Sequence, residues 1–266
     1  MIREVGIEAS NYDDLKVIIK DADSNNDRQV EQIRELIDLK VDVLVISPLE
    51  SGPLTAIAEE ADRAGILTII TDRKVNTNRY TTFVGADNYE LGVTAGKYAI
   101  RYLPPEATIL EIWGTTGSSP AQERHNGFRD ALADRKDLVF IPVEGDWKQD
   151  VTARKLREKS FSQPIDFVFA HNDVMAIAAR EYFLSIDPVK GKQLPIIGMD
   201  AVAEVGLQAI ADGRIDASFL YPTGGEQVIR TAMKLIAGEP VDKYIPLHSG
   251  IVGREAARSL LLQAER

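Results

Sequence analysis

Short apolar runs alternate with segments of helical periodicity along nearly the whole chain. The apolar runs predict strands at Leu15–Ile19, Val43–Ser47, Leu67–Thr71, Thr81–Gly85, Thr108–Trp113, Leu138–Pro142, Phe167–Ala170, Pro195–Met199 and Ala217–Leu220. The segments between them predict helices at Arg28–Leu39, Pro53–Ala64, Tyr89–Tyr102, Ala121–Ala133, Gln149–Lys159, Val174–Ser185, Ala203–Asp212 and Glu226–Ile236. Near-continuous apolar strands separated by helices are typical of a parallel sheet with helices on both faces. The pattern therefore predicts an α/β protein with a doubly wound architecture.

The predicted strands favour two sheets in two lobes, because nine are many for one twisted open sheet. Breaks between the sheets are expected at Pro104–Glu106 and at the turn Gly85–Asn88. The start of the chain departs from a doubly wound lobe. Residues Ile2–Ala9 have the pattern of a helix end, where such a lobe usually begins with a central strand. The first strand of the N-terminal lobe is therefore expected to be missing, through truncation or replacement by another segment.

Composition narrows the functional classes. The 266 residues carry a formal net charge of −10, which argues against a nucleic-acid partner or an anionic-membrane surface. The absence of cysteine excludes disulfides, thiolate nucleophiles and cysteine-ligated metals. The three histidines, His125, His171 and His248, are scattered along the chain, so we expect no metal site and no cofactor. No apolar run approaches the ~20 residues of a membrane span, and no signal-peptide pattern follows Met1, so any export signal would already be removed.

Polar and aromatic side chains follow the carboxyl ends of the predicted strands, where parallel α/β sheets bind ligands. These candidate site residues are Ser47, Asp72, Arg73, Trp147, Asn172, Asp200 and Tyr221, together with Arg124 in the early turns of the helix after "GTTGSSPAQER". Carboxylates accept hydrogen bonds from sugar hydroxyls, arginine donates several, asparagine does both, and an aromatic face packs on the C–H face of a sugar ring. The set therefore favours a neutral polyhydroxylated ligand.

Each candidate also has an ordinary structural interpretation. Asn172 or Asp173 in "VFAHNDVMAIAA" fits a helix N-cap, and Arg124 fits a surface ion pair of little energetic weight. Phosphate binding is disfavoured because "GTTGSS" contains no lysine. The nucleophile-elbow, dinucleotide, Walker and zinc-protease motifs are absent, so no catalytic residues are assigned and an enzyme is not expected.

Several longer segments resemble one family. They are "VISPLESGPLTAIAEEADRAGILTIITDRKV", "VGADNYELG", "PAQERHNGF", "VFAHNDVMAIAA" and "IIGMDAV". In this order they resemble the type I periplasmic sugar-binding proteins, a group that includes ribose-binding proteins and the effector domains of lactose-repressor-like regulators. Two further segments, "DADSNNDRQVEQIRELID" and "FLYPTGGEQVIRTAMKLI", look most like the periplasmic sensor domains of hybrid two-component systems.

The resemblance implies two lobes joined by three crossing segments, with residues 1–86 plus 222–247 in one lobe and 87–221 plus 248–266 in the other. It assigns sugar contacts to five residues, and it places Trp147 where an aromatic residue stacks on the sugar and Ser47 where asparagine is frequent. The five residues are Asp72, Arg73, Arg124, Asn172 and Asp200. Two positions depart from the family pattern: Met199 replaces a frequent aromatic residue, and Tyr221 stands where glutamine is common. The first strand and following loop, which carry further sugar contacts in the family, are expected to be missing from this chain. Two sheet edges are thereby exposed, which predicts strand exchange or a homodimer.

The resemblance also implies a mechanism in which a monosaccharide shifts the lobes from an open to a closed state by hinge closure. In a sensor, closure or a changed dimer contact would pass to a membrane segment outside this chain. The tail "GREAARSLLLQAER" is compatible with a helical exit. The alternatives are a solute-binding protein of a sugar ABC transporter and a cytoplasmic repressor effector domain, with a sugar-processing enzyme the weakest. The sequence does not distinguish ribose, fructose and other small sugars.

Overall fold

The structure is a computed structural model that describes residues 1–264, and it divides the chain into two compact units. The smaller unit contains Met1–Ala86, Gly117–Ser119 and Pro222–Leu247. The larger unit contains Asp87–Thr116, Pro120–Tyr221 and the chain from His248 onward. One division lies in the predicted turn Gly85–Asn88. The other predicted break, Pro104–Glu106, is wrong, because it lies inside the larger unit as the link between a helix and the next strand.

The elements follow one another in alternation, as the apolar pattern predicts. The strands are β1 (Val43–Ile46), β2 (Leu67–Thr71), β3 (Thr82–Gly85), β4 (Thr108–Trp113), β5 (Val139–Glu144), β6 (Phe167–Ala170), β7 (Ile196–Ile197), β8 (Ser218–Phe219), β9 (Tyr244–Pro246) and β10 (Ile251–Val252). The α-helices are α1 (Ile2–Ala9), α2 (Asn26–Asp38), α3 (Ser51–Arg63), α4 (Asn88–Ala99), α5 (Ser119–Ala131), α6 (Gln149–Glu158), α7 (Asp173–Ile186), α8 (Pro188–Gln193), α9 (Gln208–Ala211), α10 (Gly225–Ile236) and α11 (Arg254–Ala264). A π-helical turn, Ala203–Leu207, precedes α9. The predicted single helix Ala203–Asp212 is therefore wrong in its first half.

The smaller unit is built on a parallel sheet with the strand order β1-β2-β3-β9. Neighbouring residues of β2 point to opposite faces, as the pleat of a strand requires. Ile70 packs with α2 and α3 in one apolar cluster, whereas Ile69 packs with Val228 and Leu235 of α10 in another. Helix α1 lies against α10, where Arg230 Nε donates to Glu8 Oε1 at 2.9 Å. The sheet is thus covered on both faces, as predicted.

The predicted strand Leu15–Ile19 is wrong, because this segment pairs with no strand in the described chain. Val17, Ile18 and Ile19 have 40%, 42% and 53% of their surface exposed. A strand needs a neighbour for its backbone N–H and C=O groups, and an apolar pattern alone does not supply one. In the part of the chain that the structure describes, β1 ends the sheet on this side, as expected from the missing first strand.

The larger unit is built on a second parallel sheet, with the order β5-β4-β6-β7. Strands β8 and β10 pair antiparallel, and single bridges connect Ile197 with Ala217 and Asp200 with Leu220. The core holds fully buried Phe128, Phe167 and other large side chains between the sheet and its helices. The predicted tail helix is present as α11, while residues 265–266 lie outside the described residues. Three candidate residues of this unit, Trp147, Asn172 and Asp200, follow the carboxyl ends of β5, β6 and β7, whereas Arg124 lies on α5 and Tyr221 follows β8.

Candidate functional site

Arg124 organises the candidate site of the larger unit. It lies on α5 with 3% of its surface exposed. Its Nε donates to Asn88 Oδ1 at 2.9 Å, and its Nη1 donates to the backbone carbonyl of His171 and lies 3.2 Å from Asp200 Oδ1. A buried guanidinium with this many acceptors is fixed in position. The surface ion-pair interpretation of Arg124 is therefore excluded.

Two aromatic rings lie beside the same guanidinium. The Cζ atom of Arg124 lies 5.5 Å from the Trp147 ring centroid and 5.2 Å from the Tyr221 ring centroid. These distances are within the range of cation–π attraction. Trp147 also packs against Gly114, where an added Cβ would lie 2.1 Å from the indole ring. Gly114 is therefore required for the position of this ring.

Asp200 lies on a strained turn at the end of β7. Its φ is 100° and that of Ala201 is 50°, both in the left-handed region that non-glycine residues rarely adopt. The backbone of Asp200 is held on both sides, because its N–H donates to Phe219 at 2.9 Å and its carbonyl accepts from Tyr221 at 3.1 Å. Asp72 and Trp147 also have positive φ, at 63° and 62°. Such strain concentrates at functional sites, and here it falls on three predicted ligand contacts.

The segment His171–Asp173 has a structural partner for each of its polar side chains. Asn172 is the N-cap of α7, because its Oδ1 accepts from the Met175 N–H at 3.0 Å. Its Nδ2 donates to the Trp147 carbonyl at 3.2 Å, so one of its two amide hydrogens remains for a ligand. Asp173 Oδ2 accepts from the Ala201 N–H at 2.7 Å. The N-cap interpretation and the ligand interpretation of Asn172 are therefore compatible.

A buried acid beneath the site was not predicted. Glu111, in the middle of β4, has 1% of its surface exposed and contacts two imidazoles. Its Oε1 lies 2.8 Å from His125 Nδ1 and 3.2 Å from His171 Nε2. Burial alone would raise the pKa of Glu111, but the hydrogen bonds from both histidines outweigh it and the pKa lies below its usual value. A single acid inside the apolar run "TILEIW" is the sequence signal that identifies this group.

The smaller unit carries the other three candidate residues. Arg73 donates from Nη1 to the Leu49 carbonyl at 2.6 Å, and its Nε lies 3.7 Å from Asp72 Oδ2. Gln29, which sequence reasoning missed, donates to the Ser47 carbonyl at 2.8 Å and accepts from the Leu49 N–H at 2.9 Å. Ser47, Arg73 and Gln29 line a cavity of about 280 Å³, and Asp72 does not. Two of the three residues predicted here therefore share one cavity.

In residues 1–264, no group of three or more histidine, aspartate or glutamate side chains is placed to hold a metal ion. None of the helices that the structure describes combines the length and apolarity of a membrane span.

Comparison with known proteins identifies relatives along most of the chain. Residues 3–240 match the family model described as periplasmic binding protein domain. The ribose import binding protein RbsB of Bacillus subtilis is 30% identical over 234 residues, which cover 87% of this chain and 75% of the relative. The galactofuranose-binding protein YtfQ of Escherichia coli is 26% identical over 209 residues, which cover 75% of this chain and 65% of the relative.

Solved structures with the same fold include two that share about a third of their residues with this chain. The fructose-binding periplasmic domain of the hybrid two-component system BT1754 is 32% identical, with a TM-score of 0.89 and coverage of 99% of this chain and 89% of that one. A Mycobacterium smegmatis protein in complex with β-D-fucofuranose is 30% identical, with a TM-score of 0.91 and coverage of 99% and 89%. The predicted α/β fold with parallel sheets in two lobes is confirmed.

Proposed function

The chain belongs to the periplasmic binding protein family, and from this we propose that it binds a monosaccharide, a pentose or hexose such as ribose or fructose. The observation that carries the proposal is the Arg124 cluster, defined as Arg124 with Trp147, Asn172, Asp200 and Tyr221. In it a buried guanidinium is paired with one carboxylate and flanked by two aromatic rings. The named relatives bind ribose, fructose or a furanose.

The chemistry of the cluster favours a neutral polyhydroxylated ligand. The positive charge of Arg124 is matched by Asp200, so neither an anion nor a cation is needed to balance the site. Asp200 has 32% of its side chain exposed and can accept from a hydroxyl. Asn172 offers an amide hydrogen, and an aromatic face packs on sugar C–H groups. The proposal extends to Ser47, Asp72 and Arg73 of the smaller unit, whose contact with the ligand stays a prediction.

The proposed biological role is the periplasmic ligand-sensing domain of a hybrid two-component protein. The BT1754 domain, a sensor by its name, supports this role. The alternative is the solute-binding protein of a sugar ABC transporter, which the likeness to RbsB supports. Both roles place the chain in the periplasm, the sensor through a membrane segment outside residues 1–266. Sequencing the gene upstream and downstream of the region that encodes this chain decides between the two roles, because only a sensor protein continues into a kinase.

Tryptophan emission tests sugar binding at the proposed site. The chain has two tryptophans, and Trp113→Phe leaves Trp147 as the single reporter. Titration with ribose and with fructose should change the emission of Trp147 for at least one sugar, because the ligand excludes water from its ring. The matched Trp147→Phe variant, which retains Trp113, should bind more weakly and report little change. Unchanged Trp147 emission with every pentose and hexose would reject the proposal.

We further propose that the chain forms a homodimer through the edge of β1. This strand contains only valine, leucine and isoleucine, and Val45 is 40% exposed. An apolar, unpaired strand edge is a template for pairing with another strand, and a second copy offers the same edge. Light scattering should give twice the monomer mass for the wild type and the monomer mass for Val45→Lys. The control Val189→Lys, at a 68% exposed position on α8, should remain dimeric. A monomeric wild type would refute the dimer.

A further inference from the structure

Asp173 is a buried acid directly beneath the turn that presents Asp200. It is the first residue of α7, and 3% of its surface is exposed. Its Oδ2 accepts from the Ala201 N–H at 2.7 Å, and the same N–H lies 3.1 Å from Ser218 Oγ. Ala201 and Asp200 both have positive φ. The side chain of Asp173 thus holds the strained turn by its backbone, one residue beyond Asp200.

Two glycines make the space for this carboxyl group. A Cβ added at Gly198 would lie 2.3 Å from Asp173 Oδ1, and a Cβ added at Gly206 would lie 2.0 Å from Oδ2. Both distances are far below van der Waals contact, so only glycine fits at either position. Oδ1 is buried and has no hydrogen-bond partner among the described residues. An ionised carboxylate with one oxygen in a dry, unpaired position is strongly disfavoured.

The two charges nearest Asp173 act in opposite directions on its pKa, which the negative charge of Asp200 raises and the positive charge of Arg124 lowers. The charged groups that face it are the carboxylate of Asp200 on the turn and the guanidinium of Arg124 on α5. Ser218 faces it from β8 without a charge, and Glu204 on the π-helical turn is exposed. Burial, and then the charge of Asp200, raise the pKa of Asp173 to about 8. One guanidinium therefore serves two carboxyl groups, of which one is already ion-paired.

We propose that Asp173 carries a proton in the sugar-binding form of the protein and that its neutral carboxyl group positions the Asp200 turn for the ion pair with Arg124. Asp173 is a positioning residue, because it acts on the ligand through Asp200. When it loses the proton, its negative charge repels Asp200 and competes for Arg124. Sugar affinity therefore falls as the pH rises through the value at which Asp173 ionises. The inference is tested by a measurement of sugar affinity and a measurement of stability, and only the first rests on the proposed sugar-binding function.

The affinity arm compares wild type with Asp173→Asn between pH 6.5 and 9. A group with a pKa near 8 is about 90% ionised at pH 9, so wild-type affinity should be about tenfold weaker at pH 9 than at pH 7. Asp173→Asn imitates the protonated acid, and its affinity should equal that of wild type at pH 7 and stay level to pH 9. The control Glu204→Gln removes one exposed charge and should keep the wild-type slope. A level wild-type profile, or an equal slope in Asp173→Asn, would overturn the proposal.

The stability arm needs no sugar. A folded protein that retains a proton which the unfolded chain loses near pH 4 becomes less stable as the pH rises from there to about 8. The melting temperature of Asp173→Asn relative to wild type should therefore increase between pH 5 and pH 8 and then become constant. Parallel profiles would overturn the assigned proton even if a sugar binds. If the two melting temperatures diverge as predicted but no sugar binds, the proton on Asp173 is supported and the proposed sugar-binding function is rejected. If Asp173→Asn fails to fold, the wild-type affinity profile alone decides.

Discussion

Arg124→Ala is expected to abolish measurable sugar binding and to destabilise the larger unit. The substitution removes a guanidinium that holds Asn88, the His171 carbonyl and Asp200 together. Breaking a fully buried ion pair costs about 3–5 kcal/mol of folding free energy, and the cost here should be smaller because Asp200 has 32% of its side chain exposed. It also removes the donors proposed for the sugar, and a loss of at least about 3 kcal/mol in binding corresponds to a weakening of more than about 100-fold. Calorimetry and urea unfolding measure the two effects separately.

Two further variants make this prediction specific. Arg124→Lys retains the charge but cannot reach all three acceptors from a single ammonium group, so its affinity should also fall by more than tenfold. Arg154→Ala removes the same charge from an exposed position on α6 and should bind like wild type. If Arg124→Lys binds like wild type, the fixed geometry of the guanidinium is not what the site requires.

Gly127→Ala is expected to lower the stability of the protein and to displace Arg124. A Cβ at Gly127 would lie 2.1 Å from the backbone oxygen of Tyr89, and one at Gly92 would lie 2.3 Å from that of Arg124. Helices α4 and α5 therefore approach each other through glycines, and backbone atoms cannot yield as a flexible side chain does. Overpacking costs about 1–3 kcal/mol, and the shift of α5 displaces Arg124. We expect lower stability together with weaker sugar binding.

Gly52→Ala is the matched control, because Gly52 lies on α3 and nothing lies within 4 Å of an added Cβ there. Alanine favours helix over glycine, so this variant should be as stable as wild type or more stable by up to about 1 kcal/mol. Urea unfolding of both variants checks the comparison. Equal stabilities of Gly127→Ala and Gly52→Ala would contradict the close approach of α4 and α5.

The apolar pattern predicted most of the fold because parallel strands that are buried on both faces consist of consecutive apolar residues. It failed where pairing rather than burial decides the structure. Leu15–Ile19 is as apolar as a strand but has no neighbour to pair with in the described chain. Conversely, β9 was missed because Tyr244–Pro246 is partly exposed and ends in proline, yet its register pairs Ile245 with Val84. Neither outcome can be read from local periodicity.

The candidate site was predictable to the extent that it follows the carboxyl ends of strands. The Arg124 cluster forms in the larger unit because β5, β6, the turn after β7 and α5 converge there. The sequence could not indicate that Asn172 serves as a helix cap and still retains an amide hydrogen. Nor could it indicate the protonation of Asp173, because that depends on burial and on the neighbouring Asp200.

The most direct test of the account is titration calorimetry of the wild-type chain at pH 7 with a panel of monosaccharides that includes ribose and fructose. We predict that at least one pentose or hexose binds with one-to-one stoichiometry per chain and an affinity near micromolar, about −8 kcal/mol. The same sugar should release no measurable heat with Arg124→Ala. A folded wild type that binds no monosaccharide, or an Arg124→Ala variant that binds as tightly as wild type, would contradict the proposed sugar site.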